Sequence, residues 1–180
     1  MKYCNQCGQA VTQKTPPGDN RLRYVCTVCE TVHYQNPKLV VGCVPEWEDR
    51  ILICRRAIEP RYGYWTLPAG FMENAETTAE AAARETQEEA LAEVRILEPL
   101  ALVNVARINQ VHLMYRAEMV SGDFAPGPES LEVSLVAEAE VPWDQIAFPS
   151  VRFTLENYFG DRHAGRAFQF RTTNITRPIA

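Results

Sequence analysis

The sequence predicts an α/β domain, in which a mixed β-sheet carries helices on its faces, preceded by a small metal-binding module. Three observations predict this architecture. Two Cys-x-x-Cys pairs lie in the first 36 residues. From residue 38 onward, short β-branched runs and alternating apolar and polar residues are typical of strands. An alanine-rich stretch after residue 77 and an amphipathic one at residues 150–159 are typical of helices.

Composition excludes several classes of protein. With 46% hydrophobic and 23% charged residues, the chain of 180 residues has the composition of an ordinary globular protein. It lacks an apolar run near the ~20 residues of a membrane helix and an N-terminal secretory signal, so we expect a cytoplasmic protein with no membrane partner. The net charge of −5 disfavours nucleic acid as a partner, although residues 1–38 carry five basic and two acidic side chains.

The amino-terminal module is predicted to bind zinc. Its four cysteines, Cys4, Cys7, Cys26 and Cys29, follow the pattern C-x2-C-x18-C-x2-C. Two intervening residues let a tight turn aim both sulfurs at one ion, and Zn2+ prefers four ligands in a tetrahedron. A redox-active Cys-x-x-Cys pair is the alternative. Because four thiolates fill the coordination shell, the zinc is expected to be structural, within a ribbon at residues 1–36.

The first elements of the main domain are predicted to be a hairpin. Residues 38–47 (KLVVGCVPEW) and 50–56 (RILICRR) are apolar, β-branched runs separated by a short polar turn. Cys43 and Cys54 lie inside these runs and are expected to be buried core residues. A loop at residues 59–64 then leads to a short extended piece at residues 65–71.

A helix is predicted next. Thr77 and Glu80 form a T-x-x-E capping box, and alanines fill the following turns. The sequence therefore predicts that the helix begins at about residue 78.

The second half of the chain continues the alternation of elements. Residues 94–108 read as strand interrupted by Pro99, and residues 111–119 alternate cleanly between two faces. After a loop at 121–130 come a strand at 131–136, a short helix within 141–148 and the amphipathic helix at 150–159. The tail after residue 160 is expected to be loop or only partly ordered.

The predicted helix carries a cluster of glutamates. Glu85, Glu88 and Glu89 share one helix face, where three carboxylates repel one another. A solvated acidic face is the ordinary explanation. The alternative is a site for Mg2+ or Mn2+, both of which prefer oxygen ligands. Arg84 is adjacent and is expected to pair with an acidic side chain such as Glu76.

The stretch from Gly70 to Ala92 resembles the Nudix box, G-x5-E-x7-R-E-U-x-E-E-x-G-U, where U is bulky and apolar. The fixed positions match at Gly70, Glu76, Arg84, Glu85, Glu88 and Glu89. The sequence departs from the motif at Thr86, at Leu91 in place of the late glycine, and at Ala92. These departures concern helix packing and the exit turn rather than the metal positions.

With its Cys4 module, the chain resembles the zinc-ribbon Nudix hydrolases, including the group related to NADH pyrophosphatases and to ADP-ribose or FAD pyrophosphatases. The resemblance implies a Nudix α/β/α sandwich with a mixed β-sheet at residues 37–160, followed by a tail at 161–180. It implies hydrolysis of a nucleoside diphosphate linked to another moiety, which makes a small nucleotide the substrate partner. It also implies a homodimer and a catalytic Mg2+ or Mn2+ beside the structural Zn2+.

The resemblance also assigns roles by position. Expected metal ligands are the Ala69 carbonyl, Glu85, Glu88, Glu89 and, from a later loop, Glu129. Expected catalytic groups are Glu85, Glu88 and Glu132, with Glu132 orienting or deprotonating the attacking water. Independently of the motif, the residues near the expected mouth of the cleft are expected to bind the substrate: Arg55 and Arg56 through its phosphates, and Tyr64 and Trp65 by stacking on its base.

NADH pyrophosphatases carry a motif S-Q-P-W-P-F-P-x-S after the box, and the corresponding segment here, NVARINQVHL, lacks it. We therefore expect ADP-ribose or FAD to be preferred over NADH. The alternative function is a ligand-sensing or nucleic-acid-binding regulator built on the same fold, because zinc ribbons often bind nucleic acid or proteins. The intact box carboxylates argue against it.

Overall fold

The computed structural model describes residues 1–176, which divide at residue 36 into two units. The first unit is a three-stranded antiparallel sheet in the order β1-β2-β3. Its strands are β1 (Val11–Lys14), β2 (Arg23–Cys26) and β3 (Val32–His33). Two turns, each bearing a Cys-x-x-Cys pair, precede β1 and follow β2.

The second unit is built on an eight-stranded sheet in the order β10-β5-β4-β9-β8-β11, with β6 beside β5 and β7 beside β4. The pairs β4–β9 and β8–β11 are parallel and the other pairs are antiparallel, so the sheet is mixed as predicted. Its strands are β4 (Lys38–Trp47), β5 (Arg50–Arg56), β6 (Trp65–Thr66), β7 (Ala69–Phe71), β8 (Val94–Val105), β9 (Gln110–Met119), β10 (Ser130–Val136) and β11 (Arg171–Asn174).

Helix α1 (Thr78–Ala90) covers one face of the sheet. Its Thr77 cap and the reciprocal bond from Glu80 form the predicted capping box. Small side chains let the helix lie close to the sheet, where Ala81 and Ala82 pack against Val41 and Cys43 of β4.

Helix α2 (Pro149–His163) covers the opposite face. Val151 and Leu155 pack with Val44 in the largest core cluster. Because successive strand residues point to opposite sides, Cys43 and Val44 face α1 and α2 respectively, and the sheet is sandwiched between the two helices.

Two regions of the second unit differ from the sequence expectations. Strand β8 continues past Pro99, because register shifts on both sides of this residue absorb the missing N–H donor. Two short 3-10 helices, Glu138–Glu140 and Trp143–Gln145, replace the single short helix. None of the helices in the described part of the chain is long and apolar enough to cross a membrane.

The segment after residue 160 was expected to be loop or only partly ordered, and the structure corrects this expectation. Helix α2 runs on to His163, and β11 adds to the sheet parallel to β8. The fully buried carboxylate of Asp161 holds this segment, accepting bonds from Arg171 Nη2 and Arg166 Nε at 2.6 Å each. The sequence pattern missed the segment because its order depends on these long-range ion pairs. The last four residues of the predicted tail lie outside the described range.

Candidate active site

A cleft of about 1090 Å³ opens in the second unit. Its walls come from α1, from the loop between β5 and β6, from β9 and from the start of α2. One side is rich in carboxylates and the other is mostly apolar.

Helix α1 presents the glutamates to this cleft. Glu85 and Glu89 are only 8% and 6% exposed, whereas Glu88 is exposed to solvent. Burial raises the pKa of Glu89 to about 8, although its carboxylate accepts a bond from the Ala69 N–H at 3.2 Å. Burial also raises the pKa of Glu85. Two buried carboxylates side by side are costly for an apoprotein and favour binding of a cation.

Arg84 organises the cluster. Its guanidinium forms a two-pronged pair with Glu76, through Nε at 3.0 Å and Nη2 at 2.8 Å, which confirms the expected pairing. The pair holds the pKa of Glu76 at about 2. Nη1 donates to Glu85 at 2.8 Å and to Glu88 at 2.9 Å. Arg84 therefore fixes the orientation of two box carboxylates while Glu76 fixes Arg84.

Gly70 allows the strand before the helix to approach this cluster. A Cβ atom at residue 70 would lie 2.2 Å from Glu85 Oε2, well inside van der Waals contact. The glycine of the box is therefore required because the Glu85 carboxylate occupies the space of a side chain.

A later loop, residues 124–129, carries Glu129 into the same cleft. The loop docks on the end of α1, where Ala125 and Gly127 N–H groups donate to the carbonyls of Ala90 and Glu89 at 2.9 and 3.0 Å. These bonds satisfy carbonyls that a helix end leaves without partners. The Glu129 charge adds to burial in raising the pKa of Glu85 and Glu89.

The donor set fits a hard divalent cation. Glu85, Glu88, Glu89 and Glu129 offer only oxygen ligands, and Ala69 lines the cleft beside Glu89. Arg84 and the Ala69 N–H hold the carboxylates in this structure.

Of the predicted substrate-binding residues, the structure places only Arg56 in the cleft. It is 9% exposed, donates to the Pro60 carbonyl at 2.9 Å and lies over the Phe148 ring at 5.1 Å from its centroid. Arg61, on the loop between β5 and β6, also lines the cleft. Arg56 shares a strand face with Cys54, which packs toward the end of α1.

Arg55, Tyr64, Trp65 and Glu132 do not line the cleft. Arg55 points to the other face of β5, where it donates to Gly63 and pairs with Glu132 at 3.6 Å. Tyr64 is exposed and Trp65 packs against the core. Glu132, which was expected to orient or deprotonate the attacking water, lies beside Arg55 and does not line the cleft.

The structure adds polar residues that the sequence did not indicate. Gln110, His112 and Ser150 lie together in the wall of the cleft. His112 and Ser150 are 38 residues apart. Only the alternation in β9, which places His112 on the same face as the buried Met114, hinted at an inward-facing histidine.

In the first unit, the four predicted cysteines converge. Their sulfur atoms lie within 4.8 Å of one another, with Cys7 3.4 Å from both Cys26 and Cys29. A tetrahedron with Zn–S bonds of about 2.3 Å has S···S edges of about 3.8 Å, so the cluster fits zinc. Backbone N–H groups of Cys29 and Val28 donate to Cys26 Sγ and lower its pKa, which favours the thiolate that zinc binds.

Comparison with known families agrees with both units. The zinc-ribbon model described as Nudix N-terminal matches residues 2–35, and the NUDIX domain model matches residues 36–157.

The chain is 28% identical to the NAD-capped RNA hydrolase NudC of Photobacterium profundum over 145 residues, which are 79% of this chain and 52% of that protein. A protein of the same name from Salmonella heidelberg is 28% identical over 72% of this chain and 49% of its own length. The chain thus spans about half the length of these curated relatives.

Among solved structures, a NUDIX hydrolase from Nitrosomonas europaea is 51% identical, with a TM-score of 0.92 over 97% of this chain and 100% of that chain. An ADP-ribose pyrophosphatase from Streptococcus suis shares the fold at 21% identity, with a TM-score of 0.58 over 78% of this chain and 100% of that chain.

Proposed function

Because this chain belongs to the Nudix hydrolase family, we propose that it hydrolyses the pyrophosphate bond of a nucleoside diphosphate linked to another moiety. The products are a nucleoside monophosphate and a second phosphorylated fragment. The observation that carries the proposal is the pair of buried carboxylates, Glu85 and Glu89, on the wall of a cleft large enough for such a substrate.

Mg2+ or Mn2+ is the proposed cofactor of this cleft, held by Glu85, Glu88, Glu89 and Glu129 with the Ala69 carbonyl. The chemistry that such cations supply is neutralisation of the pyrophosphate charge and activation of the attacking water. The residues of the chain supply the rigidity. Arg84 orients Glu85 and Glu88 through bonds of 2.8 and 2.9 Å, so two carboxylate positions are set before a substrate arrives.

Arg56 is the proposed contact for the substrate phosphates. It lines the cleft between the carboxylate side and the Phe148 ring. Burial raises the pKa of Glu89, and the charge of Arg56 offsets part of that rise. A fixed guanidinium at this point suits the oxygens of a pyrophosphate. Arg61, on the loop between β5 and β6, also lines the cleft and is the second proposed phosphate contact.

For the substrate, we keep the preference for ADP-ribose or FAD over NADH. The segment that lacks the Pro/Trp/Phe motif contributes Val105, Ile108, Gln110 and His112 to the cleft wall. The curated relatives are named as hydrolases of NAD-capped RNA, which makes NAD-type substrates the competing possibility.

The test is a panel of ADP-ribose, FAD and NADH with saturating Mg2+ and then Mn2+, with the products identified by mass. We expect AMP and a second phosphorylated fragment, with higher kcat/KM for ADP-ribose or FAD. NADH equal to or better than both would overturn the preference. No hydrolysis of any nucleoside diphosphate derivative would overturn the function.

We further propose a structural Zn2+ in the ribbon, a homodimer and a cytoplasmic location. Metal analysis of freshly purified protein tests the zinc, and sedimentation equilibrium tests the dimer. A chain that sediments with the mass of a single copy at micromolar concentration would contradict the dimer.

A further inference from the structure

The mostly apolar side of the cleft contains a chain of three polar side chains. His112 Nε2 lies 3.0 Å from Gln110 Oε1, and His112 Nδ1 lies 2.9 Å from Ser150 Oγ. Ser150 is 2% exposed. The surrounding walls are formed by hydrophobic side chains, among them Val105, Ile108, Met114, Phe148 and Ile175.

The buried Ser150 hydroxyl sets the protons of this chain. Among the described residues Ser150 Oγ has no hydrogen-bond partner besides His112, so the reverse arrangement, with Nδ1 donating to Ser150, would leave the buried hydroxyl hydrogen without an acceptor. His112 Nε2 therefore carries the hydrogen that Gln110 Oε1 accepts. Nδ1 then accepts from the Ser150 hydroxyl, and burial lowers the pKa of His112, which keeps the ring neutral at pH 7. In this arrangement the Gln110 amide cannot flip, because its NH2 group would then face another N–H donor.

We propose that Gln110, locked by His112 and Ser150, is the residue that selects adenine in the substrate. The inference rests on the proposed function and names the base of its nucleotide. A flat ring matches the apolar walls, and an amide with one acceptor and one donor matches the amino group and adjacent ring nitrogen of adenine. Hypoxanthine has a carbonyl in place of that amino group, so it presents an acceptor where adenine presents a donor.

The lock is what makes the amide selective. A glutamine amide that is free to rotate presents its donor and acceptor in either order. It can therefore pair with the N1 edge of adenine or with the N1 edge of hypoxanthine. With the order fixed, the wrong base leaves buried polar groups unpaired, which is the arrangement that discriminates strongly between similar ligands. His112 acts through Gln110 and is therefore a positioning residue.

The test compares ligands that differ only in the base. Hydrolysis of ADP-ribose is measured against its hypoxanthine counterpart, and equilibrium binding of AMP against IMP. We expect the native protein to prefer adenine at least tenfold in both measurements. Gln110→Met keeps the length of the side chain and should remove the preference. Binding and hydrolysis of the adenine ligands should weaken, while those of the hypoxanthine ligands should change little.

His112→Phe gives a different signature. It frees the Gln110 amide to rotate, so the preference for adenine should fall because binding and hydrolysis of the hypoxanthine ligands improve. If the role of His112 were purely structural, His112→Phe would lower the activity on both substrates by the same factor. Gln145→Met is the matched control, because Gln145 is exposed and outside the cleft lining. It should leave the ratio unchanged.

The outcomes separate the two proposals. A tenfold preference for AMP in a protein that hydrolyses none of the nucleoside diphosphate derivatives supports the adenine site and contradicts the hydrolase function. Hydrolysis with equal efficiency on the two bases, or a Gln110→Met variant that retains the full preference, overturns the adenine site alone. If His112→Phe does not fold, Gln110→Met decides the result by itself.

Discussion

At the scale of single residues, Glu89 is the side chain on which the proposed chemistry depends most. It is nearly fully buried, carries a pKa of about 8 and is fixed by the Ala69 N–H. Glu89→Gln keeps the shape and removes the charge. We expect the fold to survive and kcat to fall on the order of a hundredfold or more, because a lost metal contact weakens stabilisation of the transition state.

Steady-state kinetics with saturating Mg2+ measures this fall. Glu93→Gln makes the same chemical change at an exposed residue outside the cleft and should retain native activity. A folded Glu89→Gln variant with native turnover would refute the role of Glu89.

Leu91 occupies the position at which the Nudix box has its late glycine. It ends α1 in the left-handed conformation, with φ of 47°, where a side chain is strained. Leu91→Gly should therefore stabilise the protein by about 1 kcal/mol. Denaturant unfolding gives the difference. Leu131 is a similarly exposed leucine within β10, and Leu131→Gly should destabilise the protein instead. Equal changes in stability for the two variants would contradict backbone strain at Leu91.

At the scale of elements, the loop of residues 124–129 connects the end of α1 to Glu129. A Cβ atom at Gly127 would lie 1.8 Å from the Glu88 carbonyl oxygen, so the loop docks there only without a side chain. Gly127→Ala should push the loop away and displace Glu129. We expect kcat/KM to fall at least tenfold, since a misplaced ligand weakens the metal site.

Gly160→Ala is the control for this change. A Cβ atom at Gly160, within α2, meets nothing within 4 Å, so alanine there should stabilise the helix slightly and leave activity intact. Native activity in Gly127→Ala, measured beside this control, would show that the docked loop does not contribute to the site.

The tail strand depends on one buried carboxylate. Arg171, followed by weaker contributions that include Arg166, holds the pKa of Asp161 well below its ordinary value of 3.8. A lowered folded pKa adds stability above 3.8, and this stability is lost as the pH falls toward the folded value. Asp161→Asn should therefore lower the melting temperature by about 5 °C or more near pH 7.

The difference in melting temperature between the native protein and Asp161→Asn should narrow as the pH falls below 3.8. Below that pH the stability contributed by the ionised Asp161 carboxylate is progressively lost. Thermal unfolding at several pH values measures it. A difference that stays constant down to acid pH would mean that Asp161 contributes through packing and not through its charge.

At the scale of the whole molecule, the ribbon has too small a core to fold without metal. The buried hydrophobic side chains in Met1–Asn36 are Cys4, Val25 and Cys26, and two of these are predicted zinc ligands. Cys26→Ser should release the zinc and remove hydrogen-exchange protection across residues 1–36, since binding energy is folding energy in such modules.

The second unit has its own core and should keep its protection in the Cys26→Ser protein. Thr27→Ser, in the same turn, leaves the four cysteines intact and should retain one zinc per chain. Freshly purified native protein without zinc, and with its thiols paired as disulfides, would refute the ribbon site.

The sequence by itself determined the features that depend on local spacing. Two Cys-x-x-Cys pairs predicted the cysteine cluster, and the capping box fixed the start of α1. The i, i+3 and i+4 relation of Glu85, Glu88 and Glu89 predicted that they share a helix face. In each case a few neighbouring residues carry the information, because helix and turn geometry set the positions of their side chains.

Only the tertiary structure decided the features that join distant segments. It showed that Arg56 and not Arg55 lines the cleft, because this depends on which face of β5 meets α1. It moved Glu132 away from the cleft through the register of β10 on β5, and it ordered the tail through Asp161 and Arg171. Gln110, His112 and Ser150 meet only because β9 lies beside the start of α2. Such contacts follow from strand register and helix docking, which short sequence patterns do not specify.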